Sequence, residues 1–230
     1  MLFTSPIVSQ ASGSVAGLTF SHCRGSKYVK SRVTPTDPSS TQQQITRVGV
    51  GVLAPYWGSD LTAGERAAWD LYAANLAMTN ALGETIFLTG QQHFIRCNTV
   101  RIQAGIAILD AAPENYDLGT FTPPTFTYAW FTPEAGIGFT DTDAWANAAG
   151  GYILAWPGRA HGQGRTFYRG PWRYGGKEAG AGTPPTSPFQ ATPDWPWPLG
   201  TRVLVKVRII QVDGRLSLPI ILGPQTVTTP

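Results

Sequence analysis

The chain has 230 residues, of which only 13% are charged, and its formal net charge at neutral pH is +3. A net charge this small, with no dense basic stripe, argues against a nucleic-acid-binding protein, and no run of about eighteen apolar residues is present to cross a membrane. The 26 glycines and 19 prolines indicate a chain rich in loops and turns, and two cysteines are too few for a disulfide framework. The first residues lack the basic region of a signal peptide, so we expect a protein made in the cytosol.

Residues 1–39 are predicted to form an extended arm. The segment is rich in glycine and serine, and its apolar residues are too few and too scattered to form a core. Its candidate contact residues combine aromatic and basic side chains: Phe20, Arg24, Lys27, Tyr28, Lys30 and Arg32. Four basic charges in one arm are too few for firm binding to duplex DNA, so we expect them to meet acidic surfaces of other proteins.

Residues 40–110 are predicted to form a compact helical unit of three helices. The second and third helices each begin with a capping box, Thr62 with Glu65 and Thr89 with Gln92. Two glycines weaken the first helix, so we expect it to need support from the rest of the fold.

Residues 111–120 read as a linker, and residues 121–230 are predicted to form an antiparallel β-sandwich that folds without the rest of the chain. An apolar strand is expected over residues 152–156, facing a second strand over residues 166–169. The clearest hairpin turns at Asp213 and Gly214. Its first strand alternates, with four apolar side chains on one face and Lys206 and Arg208 on the other; the apolar four are Val203, Val205, Val207 and Ile209.

The segment 200–217 resembles the last two strands of a fibronectin type III-like module. In such modules an alternating apolar and basic strand reaches an Asp-Gly turn, as it does here at Asp213 and Gly214. The resemblance implies a fold and no particular function. The expected fold class is therefore α+β, with an extended arm, a small helical unit and a sandwich of the fibronectin III or immunoglobulin type.

A second resemblance covers residues 12 to about 105. Several motifs occur in a fixed order: Gly13-Ser-Val-Ala-Gly-Leu-Thr-Phe, Arg24-Gly-Ser-Lys-Tyr-Val, Leu61-Thr-Ala-Gly-Glu-Arg-Ala-Ala-Trp and Leu88-Thr-Gly-Gln-Gln-His-Phe. This series resembles a group of phage and prophage proteins encoded among virion genes. The resemblance implies a structural component of a tailed-phage particle and carries no catalytic motif.

The two cysteines and the histidines near them allow three interpretations. His93 and Cys97 are four residues apart on one helix face, and His22 is adjacent to Cys23 in the arm. A Cys2His2 zinc site is arithmetically available, but an extended chain points His22 and Cys23 to opposite sides. A Cys23–Cys97 disulfide is the second interpretation, and two separate thiols, with Cys97 in the helical core, is the one we favour. We therefore expect no metal and no cofactor.

The prolyl loop around Trp195 and Trp197 is the remaining candidate site. These tryptophans alternate with prolines and cannot lie inside an ordinary strand. We consider a lid over the sandwich first, a contact with another subunit second and a sugar-stacking platform third. Asp141 and Asp143 lie in a loop whose spacing fits a solvated turn better than a Ca²⁺ site.

Together these patterns predict a non-enzymatic virion protein, either a capsid decoration or a neck or tail accessory protein, that interlocks with copies of itself and with other virion proteins through its arm. It would be located in the virion after assembly in the host cytoplasm, with no specific nucleic acid and no membrane as partners. The alternative is a host-surface carbohydrate-binding module that uses Trp195 and Trp197.

Overall fold

The computed structural model describes residues 13–23, 26–33, 37, 39–79, 84–129, 134–165 and 167–228. The chain divides into two compact units, residues 1–40 and residues 41–230.

The N-terminal unit contains a three-stranded antiparallel sheet. Its strands are β1 (Gly13–Val15), β2 (Leu18–Cys23) and β3 (Ser26–Ser31), in the order β1-β2-β3. Ala16, at a φ of 50°, and Gly17 form the tight turn between the first two strands, since Val15 pairs with Leu18. The sequence analysis expected one extended path here; instead, this turn and the alternating residues fold the segment back on itself as a meander.

Three α-helices open the second unit. They are α1 (Thr41–Ser59), α2 (Ala63–Asn75) and α3 (Gly90–Gln103). Both predicted capping boxes are confirmed, because the Thr62 and Thr89 hydroxyls accept the backbone N–H groups of Glu65 and Gln92, whose side chains bind back to the capping residues. Between α2 and α3 the chain forms a short hairpin of β4 (Ala77–Thr79) and β5 (Thr85–Phe87).

Two antiparallel sheets form the rest of the unit. The three-stranded sheet has the order β10-β7-β6 and consists of β6 (Thr125–Ala129), β7 (Glu134–Gly138) and β10 (Phe189–Ala191). The four-stranded sheet has the order β12-β11-β8-β9 and consists of β8 (Tyr152–Pro157), β9 (Gly176–Ala179), β11 (Arg202–Ile210) and β12 (Ile220–Thr226). The predicted α+β class is thus confirmed at the level of three helices and several antiparallel sheets.

Each face of the four-stranded sheet contributes to a different hydrophobic core. Val203, Val205, Val207 and Ile209 share one face, as predicted, and pack with residues of the three-stranded sheet such as Ile137. The opposite face contributes a second set of buried side chains to the helical core: Leu154, Trp156, Ile210 and Leu216. These pack with residues of the helices that include Trp69 and Phe94. The sheet is therefore covered on both faces, which explains why β8 is a continuous apolar run.

The segment predicted to be a linker, residues 111–120, is tied to both halves. The indole N–H of Trp69 donates to the carbonyl of Asp110 at its edge, and the Asp117 carboxylate pairs with Arg215 of the sheet region. The side chains of Ala112 and Leu118 pack against the helical core. Residues 41–110 and 121–230, which the sequence analysis assigned to different domains, therefore belong to one compact unit.

The predicted strand over residues 166–169 is not formed at residues 167–169, and Thr166 lies outside the described residues. The partner of β8 on this side is β9. Tyr168 is held in a loop because its hydroxyl donates to the carbonyl of Pro171 and accepts the backbone N–H of Arg159. Pro171 has no N–H for a β ladder, which limits strand formation here.

Candidate interaction surfaces

The N-terminal meander is amphipathic but has no core of its own. Side chains of paired residues share a face, so the register places Val15, Leu18, Phe20 and Val29 on one side. The other side carries Ser14 and Thr19, whose hydroxyls are 2.9 Å apart, together with Ser21 and Lys30. Val15 is 69% exposed and Leu18 is 47% exposed, and none of the residues 13–40 whose burial is described is buried.

The predicted contact residues of the arm are distributed over both sides of this sheet. Phe20 lies on the apolar side and is half-buried, whereas Lys30 lies on the polar side and is exposed. Arg32 follows β3, is exposed, and donates its backbone N–H to the Gly17 carbonyl at 2.8 Å. Arg24 and the side chains of Lys27 and Tyr28 lie outside the described residues.

The two tryptophans of the prolyl loop have different environments. Trp197 is buried in the core between the sheets, against Phe126 and Tyr128, and its indole N–H donates to the Gly158 carbonyl at 3.0 Å. Trp195 is half-buried, with the Arg173 guanidinium 4.4 Å above its ring. The pair therefore does not form the two-ring platform that the carbohydrate hypothesis requires, and Trp197 fits the lid interpretation.

Cys97 carries a free, buried thiol inside the helical core, and burial raises its pKa. No disulfide joins it to Cys23, whose side chain lies outside the described residues, as does that of His22. His93 is fully buried with its ring edge-on to Tyr72, at a centroid distance of 5.3 Å. Among the described residues, no group of three or more His, Cys, Asp or Glu side chains could hold a metal ion.

The carboxylate of Asp143, considered above as a calcium ligand, instead stabilises a loop through hydrogen bonds. It accepts the backbone N–H and the hydroxyl of Thr122, at 2.8 and 2.9 Å. The side-chain amide of Asn147 binds the carbonyls of Asp141 and Asp143. The two aspartates therefore build the solvated turn that the sequence favoured.

Helix α1 presents an apolar surface that the sequence analysis did not single out. Only Gly49 and Leu53 of its residues are buried, while Val48, Val50 and Val52 are 61%, 41% and 46% exposed. No charged residue occurs between Arg47 and Asp60. The uncharged stretch could have indicated this surface from the sequence alone, because a helix that is apolar on all sides is expected to be covered on more than one side.

The β4–β5 hairpin is a second missed surface. Every residue of β5 is exposed, with Phe87 at 61%, and the next residues up to Gly90 carry no charge. Met78 of β4 packs against the helical core, but monomeric proteins usually protect an exposed strand such as β5 with charges or prolines. We interpret the hairpin as a contact element.

A third missed feature is a pair of half-buried basic side chains between α3 and the four-stranded sheet. Lys206 and Arg208 lie on the sheet face that α3 and its neighbours cover, and burial lowers the pKa of Lys206 to about 8 and of Arg208 to about 10. The ammonium group of Lys206 lies 4.9 Å from the centre of the Trp156 ring, which compensates part of its burial. The alternating pattern predicted the face correctly but gave no sign that helices cover it.

Comparison with protein-family models, with curated proteins and with solved structures finds no match to this chain. Within the described part of the chain, no helix has the length and apolar character needed to span a membrane.

Proposed function

We propose that this chain is a non-enzymatic structural component of a tailed-phage virion, which docks on neighbouring subunits through its N-terminal unit after assembly in the host cytoplasm. One observation supports this most directly: an amphipathic three-stranded sheet whose apolar residues Val15 and Leu18 face solvent. A sheet without a core does not repay the conformational entropy of its own ordering. A partner that covers the apolar side would supply the missing burial.

Many copies of such a contact would stabilise a particle. Each docked meander would bury little apolar surface, but in a lattice of many subunits the contacts form at high effective concentration, so that their binding free energies add. The exposed side of α1 and the β4–β5 hairpin would provide further contacts with copies of the chain or with other virion proteins, in a capsid decoration or in a neck or tail accessory protein.

We also propose that the two larger sheets form a fibronectin type III-like sandwich. The first, second and fifth strands of this region, β6, β7 and β10, make one sheet, and the other four make the second. This is the strand distribution of the module that the segment 200–217 resembles. The shared core of the two sheets, with Trp145 and Trp197 inside it, supports the same arrangement.

The proposal is tested by a mass-spectrometric inventory of purified capsids and tails from the phage or prophage that encodes the chain. We expect the protein in one of the two fractions. A double substitution on the apolar side of the meander, Val15→Lys with Leu18→Lys, should abolish its incorporation, because two charges would have to be desolvated at the contact.

The matched control is Ser14→Lys with Thr19→Lys, which adds the same charge to the polar side of the same strands and should leave incorporation intact. Both variants should keep the thermal unfolding of the unit 41–230, since the meander is a separate unit. Absence of the protein from both particle fractions contradicts the proposal, and so does equal incorporation of the two variants.

A further inference from the structure

Two half-buried arginine side chains lie on the side of the four-stranded sheet that α3 covers. Arg96 of α3 is fixed there because its Nη2 donates to the carbonyls of Leu216 and Ser217, at 2.8 and 3.1 Å. Its other terminal nitrogen, Nη1, is buried and has no oxygen or nitrogen acceptor among the described residues, and the weakly accepting thiol of Cys97 lies beside the guanidinium. Nη1 therefore has no strong hydrogen-bond acceptor.

Arg208 of β11 adds a second unsatisfied donor. Its Nε is buried without an acceptor in the described part of the chain. Burial, and then the positive charge of Arg96, lower the pKa of Arg208 to about 10, so the side chain is still charged at neutral pH. Arg96 and Arg208 therefore carry like charges whose repulsion is only partly screened, because both side chains are half-buried.

Carboxylates do not balance these charges. Every Asp and Glu of the sequence lies within the described residues, and the ion pairs seen there, which include Arg173–Asp194, Arg215–Asp117 and Arg215–Asp213, do not involve Arg96 or Arg208. Asp213, the acid nearest to Arg208 in the chain, is held by Arg215, and so is Asp117. The thiol of Cys97, another neighbour of Arg208, is neutral at pH 7 because burial raises its pKa.

His93, one helical turn before Arg96, supplies a further polar group without adding charge. It is fully buried, and neither ring nitrogen has a partner in the described residues. Burial, followed by the charge of Arg96, lowers the pKa of His93 to about 4, so the ring is neutral at pH 7 and offers one N–H donor.

We propose that a small inorganic anion, chloride or phosphate, binds between Arg96 and Arg208, with His93 beside them. An anion would accept hydrogen bonds from the orphaned donors and offset the repulsion, which is the usual requirement for buried like charges. The site is separate from the docking surfaces of the proposed function, because it joins α3 to the sheet inside the unit 41–230.

The experiment measures thermal unfolding of the full chain at constant ionic strength while chloride or phosphate replaces gluconate, a larger organic anion. The wild-type Tm should rise and then follow the logarithm of the anion concentration, gaining about 5 to 10 °C at about one hundred times the dissociation constant. Whichever of the two anions gives the lower dissociation constant is the preferred ligand.

Arg208→Met should make the Tm independent of the anion. In gluconate the same variant should unfold at the same or a higher temperature than wild type, because it removes one of two uncompensated like charges. Arg169→Met is the matched control, since it removes the same charge from an exposed position and should keep the wild-type response.

Broadening of the chloride-35 NMR signal by the folded wild-type chain gives a readout that does not depend on any variant. We expect broadening that saturates with chloride, that phosphate reverses, and that persists in Arg169→Met. The proposal is overturned if the wild-type Tm is the same in chloride, phosphate and gluconate. It is equally overturned if Arg208→Met retains the anion response.

Discussion

Buried polar side chains are concentrated on one helix of this molecule. His93, Arg96, Asn98 and Arg101 of α3 all point into the protein or lie at its boundary. Asn98 is fully satisfied, since its amide binds the Leu109 carbonyl at 3.0 Å and its carbonyl oxygen accepts the Leu109 N–H at 2.8 Å. Neither ring nitrogen of His93 has a hydrogen-bond partner among the described residues. Protonation of this buried ring therefore opposes folding.

We predict that His93 causes a loss of stability in mild acid. Its pKa is about 4 in the folded protein and about 6.5 in an unfolded chain, so the unfolded state binds the proton first as the pH falls. Its contribution is complete above pH 6.5 and is lost between pH 6.5 and 4, lowering the free energy of unfolding by about 2 to 3 kcal/mol. Urea titrations at several pH values measure this.

His93→Phe serves as the comparison, because phenylalanine keeps the edge-on contact with Tyr72 and does not titrate. The carboxylates titrate equally in both proteins, so the difference between the two pH profiles isolates the histidine. Parallel profiles between pH 6.5 and 4 would show that His93 is not the acid-sensitive group.

At the scale of the elements, two glycines have opposite effects on the stability of the helical region. Gly51, in the middle of α1, has no atom within 4 Å of the position that a Cβ would take. Gly90, the first residue of α3, is packed against α2, where a Cβ would lie 2.7 Å from the backbone nitrogen of Asp70 and 2.8 Å from the carbonyl carbon of Trp69. The first glycine only weakens its helix, whereas the second permits two helices to touch.

Alanine substitutions should therefore have opposite effects at the two sites. Gly51→Ala should raise the free energy of unfolding by about 0.5 to 1 kcal/mol, because it removes backbone freedom from the unfolded chain. Gly90→Ala should lower it by about 1 to 3 kcal/mol, because the methyl group forces α2 and α3 apart. Chemical denaturation measures the free energy of unfolding of both variants. A change of the same sign in both would refute this account of the two glycines.

Local signals were readable from the sequence, whereas contacts between distant segments were not. The capping boxes at Thr62 and Thr89 and the alternation around Val205 depend on neighbours within a few residues, so pattern alone predicted them. The apolar strand over residues 152–156 was predicted, but Trp156 at its end does not face the core between the two sheets. It lies on the helical side instead, where its indole N–H donates to Gln103 at 3.1 Å.

At the scale of the whole molecule, one sheet holds two cores together. Helix α3 contacts the sheet region through apolar packing and through polar bonds such as that of the Lys177 ammonium to the Ala104 carbonyl, at 2.7 Å. Residues 121–230 alone would expose Leu154 and Ile210, and free helices would expose Trp69 and Phe94. The burial that each half needs is supplied by the other.

We therefore predict that neither residues 41–110 nor residues 121–230 fold alone, although residues 41–230 do. Exposure of the shared apolar face removes much of the hydrophobic stabilisation of each fragment. Amide-resolved NMR of the three fragments tests this, with dispersed spectra expected from 41–230 only. A dispersed spectrum from isolated 121–230 would restore the independent sandwich that the sequence pattern predicted.

The way in which residues 111–120 are tied to both halves also bears on how such a chain can change during evolution. Recombination between genes preserves a protein only where the exchanged piece keeps its own interior. A crossover near residue 40 would replace the meander and leave the interior of residues 41–230 intact. A crossover between residues 110 and 121 would join helices to a sheet that had not been selected to fit them.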